Sequence, residues 1–371
     1  MRAVIAAGGT AGHINPALAI AAQIMKNEPD SKIVFAGRKD GMENKLVSNS
    51  GYDFHHFEIH GFERKISSEA LLFNLNSVKC VLRSSHEAHK FFDEFKPDVV
   101  IGCGGYISGP IVRTAAKHGI HTAIQEQNSF PGVTTRLLSK YVDVICCATQ
   151  DGADRLACPQ KAYVTGNPVR PEFFTSDRTA ARERLNVGDR ICVLSFGGSL
   201  GAKTMNELAA RVMSVHHNSG RIFHIHATGQ YAVESFPKRL AELGVDINSP
   251  NISVRDYIYD MPDCFAAADL IISRSGAISI SELAAAGRAS VLVPSPNVAE
   301  NHQYYNALTL SDVGAARLLQ EKEIDFETAA REICDLASDR EVLKTMGENA
   351  KKLAVKDSAE EIYRHIRDIL D

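Results

Sequence analysis

No stretch of about eighteen consecutive apolar residues occurs in this sequence, which excludes a bilayer-spanning helix. A strong excess of one charge is lacking too. The formal net charge is −4, which argues against bulk nucleic-acid binding, so no nucleic acid is expected as a partner. The eight cysteines include no CxxC spacing, and Cys146 and Cys147 are adjacent. That pattern suits neither a disulfide framework nor a zinc site. Buried thiols in a reducing cytoplasm are the expectation. The opening MRAVIAAGGTAGH reaches two glycines too early to hold a signal-peptide apolar region. Three nucleotide-site signatures are also missing: GxGxxG with an acidic residue about twenty positions on, GK[ST], and a DxD motif at a strand end. The first absence disfavours a nicotinamide oxidoreductase; no metal site and no cofactor is expected.

What is present is a soluble, core-forming mixture: 371 residues, 44% hydrophobic and 23% charged, long enough for two domains. Charge is slightly positive over the first 165 residues and negative over the rest. Apolar runs at Ala3–Ala7, Ile33–Ala36, Asp98–Gly102, Thr122–Glu126 and Val142–Cys147 read as strands buried on both faces. Ile191–Phe196, Ile222–Ala227, Ile252–Arg255, Leu270–Ser273 and Ser290–Pro294 continue the series. Amphipathic stretches such as Pro16–Asn27 and Thr204–His216 lie between them, so the fold class is α/β with parallel sheets. The device strand–GGxxG–helix occurs twice, in VIAAGGTAGH (4–13) and VLSFGGSLGA (193–202). Two doubly wound, Rossmann-like domains facing a cleft follow. Their expected limits are 1–166 and 189–356, with a linker over 167–188 and a C-terminal helix in 357–371.

Glycine turns between a parallel strand and a helix let backbone N–H groups approach a phosphate, and the helix N-terminus adds partial positive charge. Loops of this kind stand at Gly8–His13, Gly102–Tyr106 and Gly197–Gly201. Any one of them could be a tight turn alone; three at strand ends predict a shared anionic ligand. Polar residues gather at the same ends: His13, Gln125-Glu126-Gln127-Asn128, Arg274-Ser275-Gly276-Ala277 with Ser279, Ser281 and Glu282, and Asn301-His302-Gln303. Each has a plainer reading. His13 could make a structural bond at a helix start, Glu282 could be a solvated carboxylate, and Gln303 a surface amide.

The segments GGTAGHINPALA (8–19), GCGGYISGP (102–110), EQNSFPG (126–132), GNPVR (166–170), GGSLGA (197–202), SGAISISELAAAG (275–287) and HQYYNA (302–307) occur in one order over about 300 residues. Together they resemble the MurG family of bacterial N-acetylglucosaminyltransferases. The resemblance implies a two-domain GT-B fold with lipid-linked acceptor on the N-terminal domain and sugar nucleotide mainly on the C-terminal one. It implies inverting transfer of N-acetylglucosamine from UDP-N-acetylglucosamine to the 4-hydroxyl of the muramoyl sugar of lipid I, the undecaprenyl-diphosphate-linked muramoylpentapeptide. The products are lipid II, for peptidoglycan, and UDP. Another GT-B UDP-sugar enzyme, such as a diacylglycerol glycosyltransferase, is the alternative.

Carried over residue by residue, the resemblance places Thr10, Ala11, Gly12 and Asn128 at the donor from the N-terminal side. Arg170 and Ser199 match donor-binding positions, Ser199 beside the diphosphate, and Ile258 matches the residue whose backbone reads uracil. Ala277, Ile278, Ser279, Ile280, Ser281 and Glu282 match the donor-binding helix start, with Glu282 accepting from the ribose hydroxyls. Gln303 matches a contact to the transferred sugar. The family commonly has His where this chain has Gln125. For the general base His13 is the first choice, because an imidazole of pKa about 6.5 suits proton transfer near neutrality; Glu126 is the second. Loop amides and helix N-termini would stabilise the departing diphosphate.

An enzyme of a lipid-linked acceptor without a membrane span needs a surface that rests on the bilayer. Gly61–Arg83 offers Phe62, Leu71, Leu72, Phe73, Leu75 and Val78 among Arg64, Lys65, Lys79 and Arg83. Such interleaving suits an anionic membrane surface on the cytoplasmic face, held peripherally. An ordinary amphipathic helix covering the sheet would look the same.

Overall fold

Strands rich in Val and Ile need cover on both faces, and helices supply it in each half of the chain. The computed structural model describes residues 1–59, 68–198 and 200–371, leaving aside the side chains of Lys45, residues 68–76, Val78 and Leu82. The chain forms two compact units, Met1–Val169 with Asp357–Asp371, and Arg170–Lys356.

The first unit holds a seven-stranded sheet: β1 (Arg2–Ala6), β2 (Lys32–Gly37), β3 (Asp53–His56), β4 (Val99–Gly102), β5 (His121–Glu126), β6 (Val144–Cys147) and β7 (Ala162–Val164). Its order is β3-β2-β1-β4-β5-β6-β7, and every pairing is parallel. Alternate residues serve opposite faces. Ile5, Ile101 and Ala123 pack with Ile14, Ile20 and Ile24 of the helix Ala11–Asn27. Val4, Val100 and Ile124 pack with Ile111 and Phe92 on the other side. The C-terminal helix Ser358–Asp368 belongs to this unit, because Ile362 and Ile366 join the first of these clusters. Glu28 ties it down, accepting from the Tyr363 hydroxyl at 3.0 Å and pairing with the Met1 ammonium at 2.9 Å.

The second unit repeats the plan with six strands: β8 (Ile191–Phe196), β9 (Ile222–Ala227), β10 (Ile252–Arg255), β11 (Leu270–Ser273), β12 (Ala289–Leu292) and β13 (Ala316–Leu318). All are parallel, in the order β10-β9-β8-β11-β12-β13. Residues 170–188, expected as a linker, are part of this unit. Asp177 caps the helix Arg178–Arg184 by accepting from the Ala180 amide at 2.8 Å. Arg178 and Arg182 both reach Asp269, at 2.5 and 3.2 Å, so the segment is clamped to the residue that leads into β11.

Three strands escaped the sequence reading: β3, β7 and β13. Each ends a sheet, is short, and is half-exposed, so none carries the apolar run that marks a strand covered on both faces. The eight cysteines are all unpaired and seven are buried. Burial pushes the Cys103 thiol up to about 12, which suits inert core thiols.

Candidate functional site

In an open parallel sheet, ligands gather where the strand order reverses, beyond the carboxyl ends of the strands. In the first unit that point lies between β1 and β4, and two of the three glycine loops leave from it. They pack on each other. Gly104 and Gly105 both have positive φ, +102° and +82°. A Cβ on Gly105 would strike the Gly8 carbonyl, and one on Gly104 would sit 2.5 Å from the His13 ring. The second glycine loop therefore forms the wall against which the His13 imidazole rests.

Thr10 precedes the helix Ala11–Asn27 in extended conformation, and its carbonyl accepts from the amides of His13 and Ile14 at 3.1 and 3.2 Å. Ala11, Gly12 and His13 thus form the first helical turn. His13 Nδ1 lies 2.9 Å from the Gly8 carbonyl. A carbonyl only accepts, so Nδ1 carries the proton and Nε2 of the neutral ring is left as a base.

Under the same loop sits a group the sequence reading missed. Glu43, 1% exposed, accepts from the Gly9 amide at 3.2 Å and from the Arg38 amide at 3.0 Å. Gly8, Gly37 and Gly41 surround it, and a Cβ on any of them would collide with its side chain. The Gly9 amide, expected for an external anion, is engaged by an internal carboxylate. Tyr106, the end of the second glycine loop, is 60% exposed beyond Gly105 and follows the wall that touches His13.

Glu126 ends β5 and is buried. One carboxylate oxygen accepts from the Asn128 amide and side chain at 3.0 and 3.1 Å, the other from the Gly132 amide at 3.1 Å. Both oxygens thereby shape the turn that carries Asn128. Gln125 is buried, donating to Asn167 at 2.8 Å and accepting from Gln127. Asn167 returns a bond to the Gln127 carbonyl at 3.1 Å. An amide here closes a network that joins the end of β5 to GNPVR and has no proton to titrate.

In the second unit the order reverses between β8 and β11. From β8 comes the loop with Gly197, Gly198 and Gly201, the last two at φ +94° and +83°; Ser199 lies outside the described residues. From β11 comes Arg274-Ser275-Gly276 and then the helix Ala277–Ala286, capped by Gly276 without a side-chain bond. From β12 comes the segment leading to Gln303. Cross-links hold the three together. Ser275 Oγ donates to the Gln303 carbonyl at 2.8 Å, and Gln303 Oε1 accepts from the Ser295 amide at 2.8 Å. Glu321, also missed from sequence, pairs with Arg274 and accepts from Thr204 Oγ1 at 2.8 Å. Glu300 and Asn301 just before Gln303 both adopt positive φ, 54° and 50°, a strained approach to the site.

On the helix Ala277–Ala286, Ile280 is buried, while Ala277, Ile278, Ser279, Ser281 and Glu282 keep partial exposure. Burial of the Glu282 carboxyl raises its pKa to about 7, with the Arg170 guanidinium as the opposing influence. Arg170 itself is exposed and lies over the Phe173 ring. Ile258 is buried between Tyr257 and the highly exposed Tyr259. The unit thus offers a glycine loop, a helix N-terminus and a carboxyl poised near neutrality, a set suited to a nucleoside diphosphate.

Comparison with known proteins follows the same division. Residues 3–147 match the Glycosyltransferase family 28 N-terminal domain and residues 192–362 its C-terminal domain. A UDP-N-acetylglucosamine--N-acetylmuramyl-(pentapeptide) pyrophosphoryl-undecaprenol N-acetylglucosamine transferase from Acetivibrio thermocellus is 40% identical over 100% of this chain and 98% of its own length. A transferase of the same description from Bacillus cereus is 37% identical over 98% of each. Among solved structures, MurG of Acinetobacter baumannii superposes with a TM-score of 0.77 at 29% identity, covering 99% of both chains. The UDP-GlcNAc 2-epimerase of Neisseria meningitidis, at TM-score 0.68 and 13% identity over 99% of this chain and 100% of its own, shares the fold.

Proposed function

We infer that this chain, which belongs to glycosyltransferase family 28, transfers N-acetylglucosamine from UDP-N-acetylglucosamine to N-acetylmuramyl-(pentapeptide) pyrophosphoryl-undecaprenol, making lipid II for peptidoglycan. The observation that carries this reading is full-length identity of 37–40% to transferases of that one description.

The reaction proceeds with inversion. The acceptor 4-hydroxyl oxygen bonds to the anomeric carbon, the bond from that carbon to the β-phosphate oxygen breaks, and UDP leaves with the electron pair. His13 Nε2 takes the hydroxyl proton, and the Gly8 bond to Nδ1 supports this by fixing the tautomer. Glu126 holds the Asn128 turn, its oxygens accepting from the Asn128 and Gly132 amides. On the donor side, the amides around Gly198 and the N-terminus of the helix Ala277–Ala286 face the negative charge that grows on the diphosphate, where fixed donors act most strongly. Glu282 accepts from the ribose hydroxyls, and Gln303, whose NH2 has no partner among the described residues, donates to the transferred sugar. Thr10, Ala11, Gly12, Arg170, Ser199 and Ile258 complete the donor contacts.

Radiolabelled UDP-N-acetylglucosamine incubated with lipid I tests the reading. Label in a butanol-extractable lipid, dependent on lipid I, supports it. A changed free sugar nucleotide, or no transfer with both substrates present, would refute it.

No helix among the described residues is long and apolar enough to cross a membrane. The acceptor is lipid-linked, so the chain works peripherally at the cytoplasmic membrane face. The apolar part of the expected docking segment (Phe62, Leu71, Leu72, Phe73, Leu75, Val78), with Arg64 and Lys65, lies outside the described residues or side chains. The helix Ser68–Phe95 continues with exposed Lys79, Arg83 and Lys90 at spacings of four and seven, one cationic stripe. Glu58 lies 3.5 Å from Arg83, but this exposed pair contributes little. Replacing Lys79 and Arg83 together with Glu should release the chain from phosphatidylglycerol vesicles while leaving binding of soluble UDP intact; retention on the vesicles would remove this face from membrane docking.

A further inference from the structure

A line of five polar side chains runs through the interior of the second unit, across β8, β9 and the helix that covers them. Ser195 lies on β8, His224 and His226 on β9, and Asn206 and His216 on the helix Lys203–His216. All five are buried. The contacts form one chain: His216 Nε2 to His224 Nδ1 at 3.1 Å, His224 Nε2 to Ser195 Oγ at 2.8 Å, Ser195 Oγ to His226 Nδ1 at 2.7 Å, and His226 Nε2 to Asn206 Oδ1 at 3.1 Å. Asn206 Nδ2 then meets the Thr228 carbonyl at 3.0 Å.

Donor and acceptor arithmetic fixes the direction of every bond. The Thr228 carbonyl only accepts, so the Asn206 amide must present its NH2 there and its oxygen to His226. That oxygen only accepts, so His226 carries its proton on Nε2. Burial keeps the ring neutral, so Nδ1 is a lone pair and the Ser195 hydroxyl donates to it. Ser195 Oγ then accepts from His224 Nε2, and His224 Nδ1 accepts from His216 Nε2. Three histidines are held in one tautomer, all pointing protons toward Thr228. The far end, His216 Nδ1, has no partner among the described residues.

What the chain ends on gives it a use. Thr228 and Gly229 are the floor under the glycine loop of β8. A Cβ on Gly201 would strike the Thr228 carbonyl, and one on Gly229 would strike the Gly201 backbone. Gly229 also has positive φ, +72°. The two backbones touch with no side chain between them, so the Thr228 carbonyl sets where Gly201 lies, and Asn206 sets where that carbonyl lies.

We propose that Asn206, oriented by His226 and Ser195, is a positioning residue that fixes the Gly198–Gly201 turn for the donor diphosphate. This rests on the reading of that loop as the diphosphate site. Without the amide, the Thr228 carbonyl is left unsatisfied or shifts, and the loop no longer presents its amides in one geometry.

The test compares Asn206→Leu, His226→Leu and His226→Gln in the full chain. A glutamine at 226 can donate to Asn206 and accept from Ser195; a leucine can do neither. Calorimetric UDP dissociation constants, taken well below each melting temperature, should rise about tenfold in both leucine variants, a buried hydrogen bond's worth. They should return to within about threefold of the parent in His226→Gln. The KM for UDP-N-acetylglucosamine should follow, and that for lipid I should not. In the unliganded parent, 15N NMR should find all three histidines neutral with the proton on Nε2. Leucine variants that melt lower yet bind UDP as the parent does would overturn the proposal, as would an Nδ1-protonated His226. A parent that does not bind UDP would instead overturn the donor-site reading beneath it.

Discussion

A carboxyl whose pKa sits near 7 changes its charge within the working range of the protein, and Glu282 is such a group. Its folded value lies above the usual carboxylate value of about 4.3. The stability this proton gives is present below the unfolded value and is lost as pH rises through about 7. Accepting from two ribose hydroxyls, one on each oxygen, needs the ionised form, so binding and folding pull the proton in opposite directions. UDP affinity should therefore rise about tenfold between pH 6 and pH 8, following the ionised fraction. Titration calorimetry in two buffers of different ionisation enthalpy should also detect proton release near neutrality. Glu282→Gln should bind more weakly and with a flat pH profile; a parent-like slope in that variant would assign the titration elsewhere. His13 calls for the opposite separation. His13→Ala should lower turnover by about two orders of magnitude or more and leave the UDP dissociation constant unchanged. Full turnover would exclude the imidazole as base.

Among loops and strands, the glycines distinguish conformation from contact. Gly51 and Gly105 have nearly the same φ, +78° and +82°. Around Gly51 a Cβ meets nothing within 4 Å, whereas at Gly105 it meets the Gly8 carbonyl. Gly51→Ala should thus cost about 1 kcal/mol for left-handed backbone alone. Gly105→Ala should cost clearly more in urea unfolding, and it should also lower turnover, because the displaced carbonyl is the one that orients His13. Equal losses in the two variants would mean that the loops do not bear on each other. These same loops show what a sequence can reveal. The runs at β8 and β11 are legible to the residue, because a continuous apolar run has one low-energy use in a sheet covered on both sides. The helix Ala11–Asn27 begins two residues before His13, which the sequence places at a helix start, and it takes in Pro16 as an interior residue of the amphipathic stretch Pro16–Asn27. Glu43 is illegible. Its cradle of Gly8, Gly37 and Gly41 exists only once β1 and β2 are in register. Glu126 was visible as a polar group at a strand end, but the amides that occupy both its oxygens come from a turn whose shape no spacing encodes.

For the molecule as a whole, the two units should respond differently to acid. Burial depresses His216 to about 4 and His226 to about 3, and drives His224 the same way. A histidine with a folded pKa below its unfolded value of about 6.5 binds fewer protons when folded. Its contribution is complete above that value and is lost as pH falls toward the folded one. At pH 5 each of His216 and His226 should cost the second unit about 2 kcal/mol, with His224 adding to it. Glu282, in the same unit, regains about 2 kcal/mol over the same fall because its proton stabilises the fold. The histidines therefore prevail, and between pH 7 and pH 5 the second unit loses stability on balance. In the first unit burial lowers His55 in the same sense, with Glu87 opposing it. Hydrogen exchange at pH 5 should accordingly open peptides from β8 and β9 before those from β1 and β4. His216→Gln can keep the donor to His224 and has no proton to gain. It should shrink the loss of unfolding free energy from pH 7 to pH 5 by about 2 kcal/mol, measured with urea at each pH. An unchanged loss would mean that His216 is already protonated, or already exposed, in the native chain, and the one-way row of neutral rings could not then begin where the hydrogen bonds begin it.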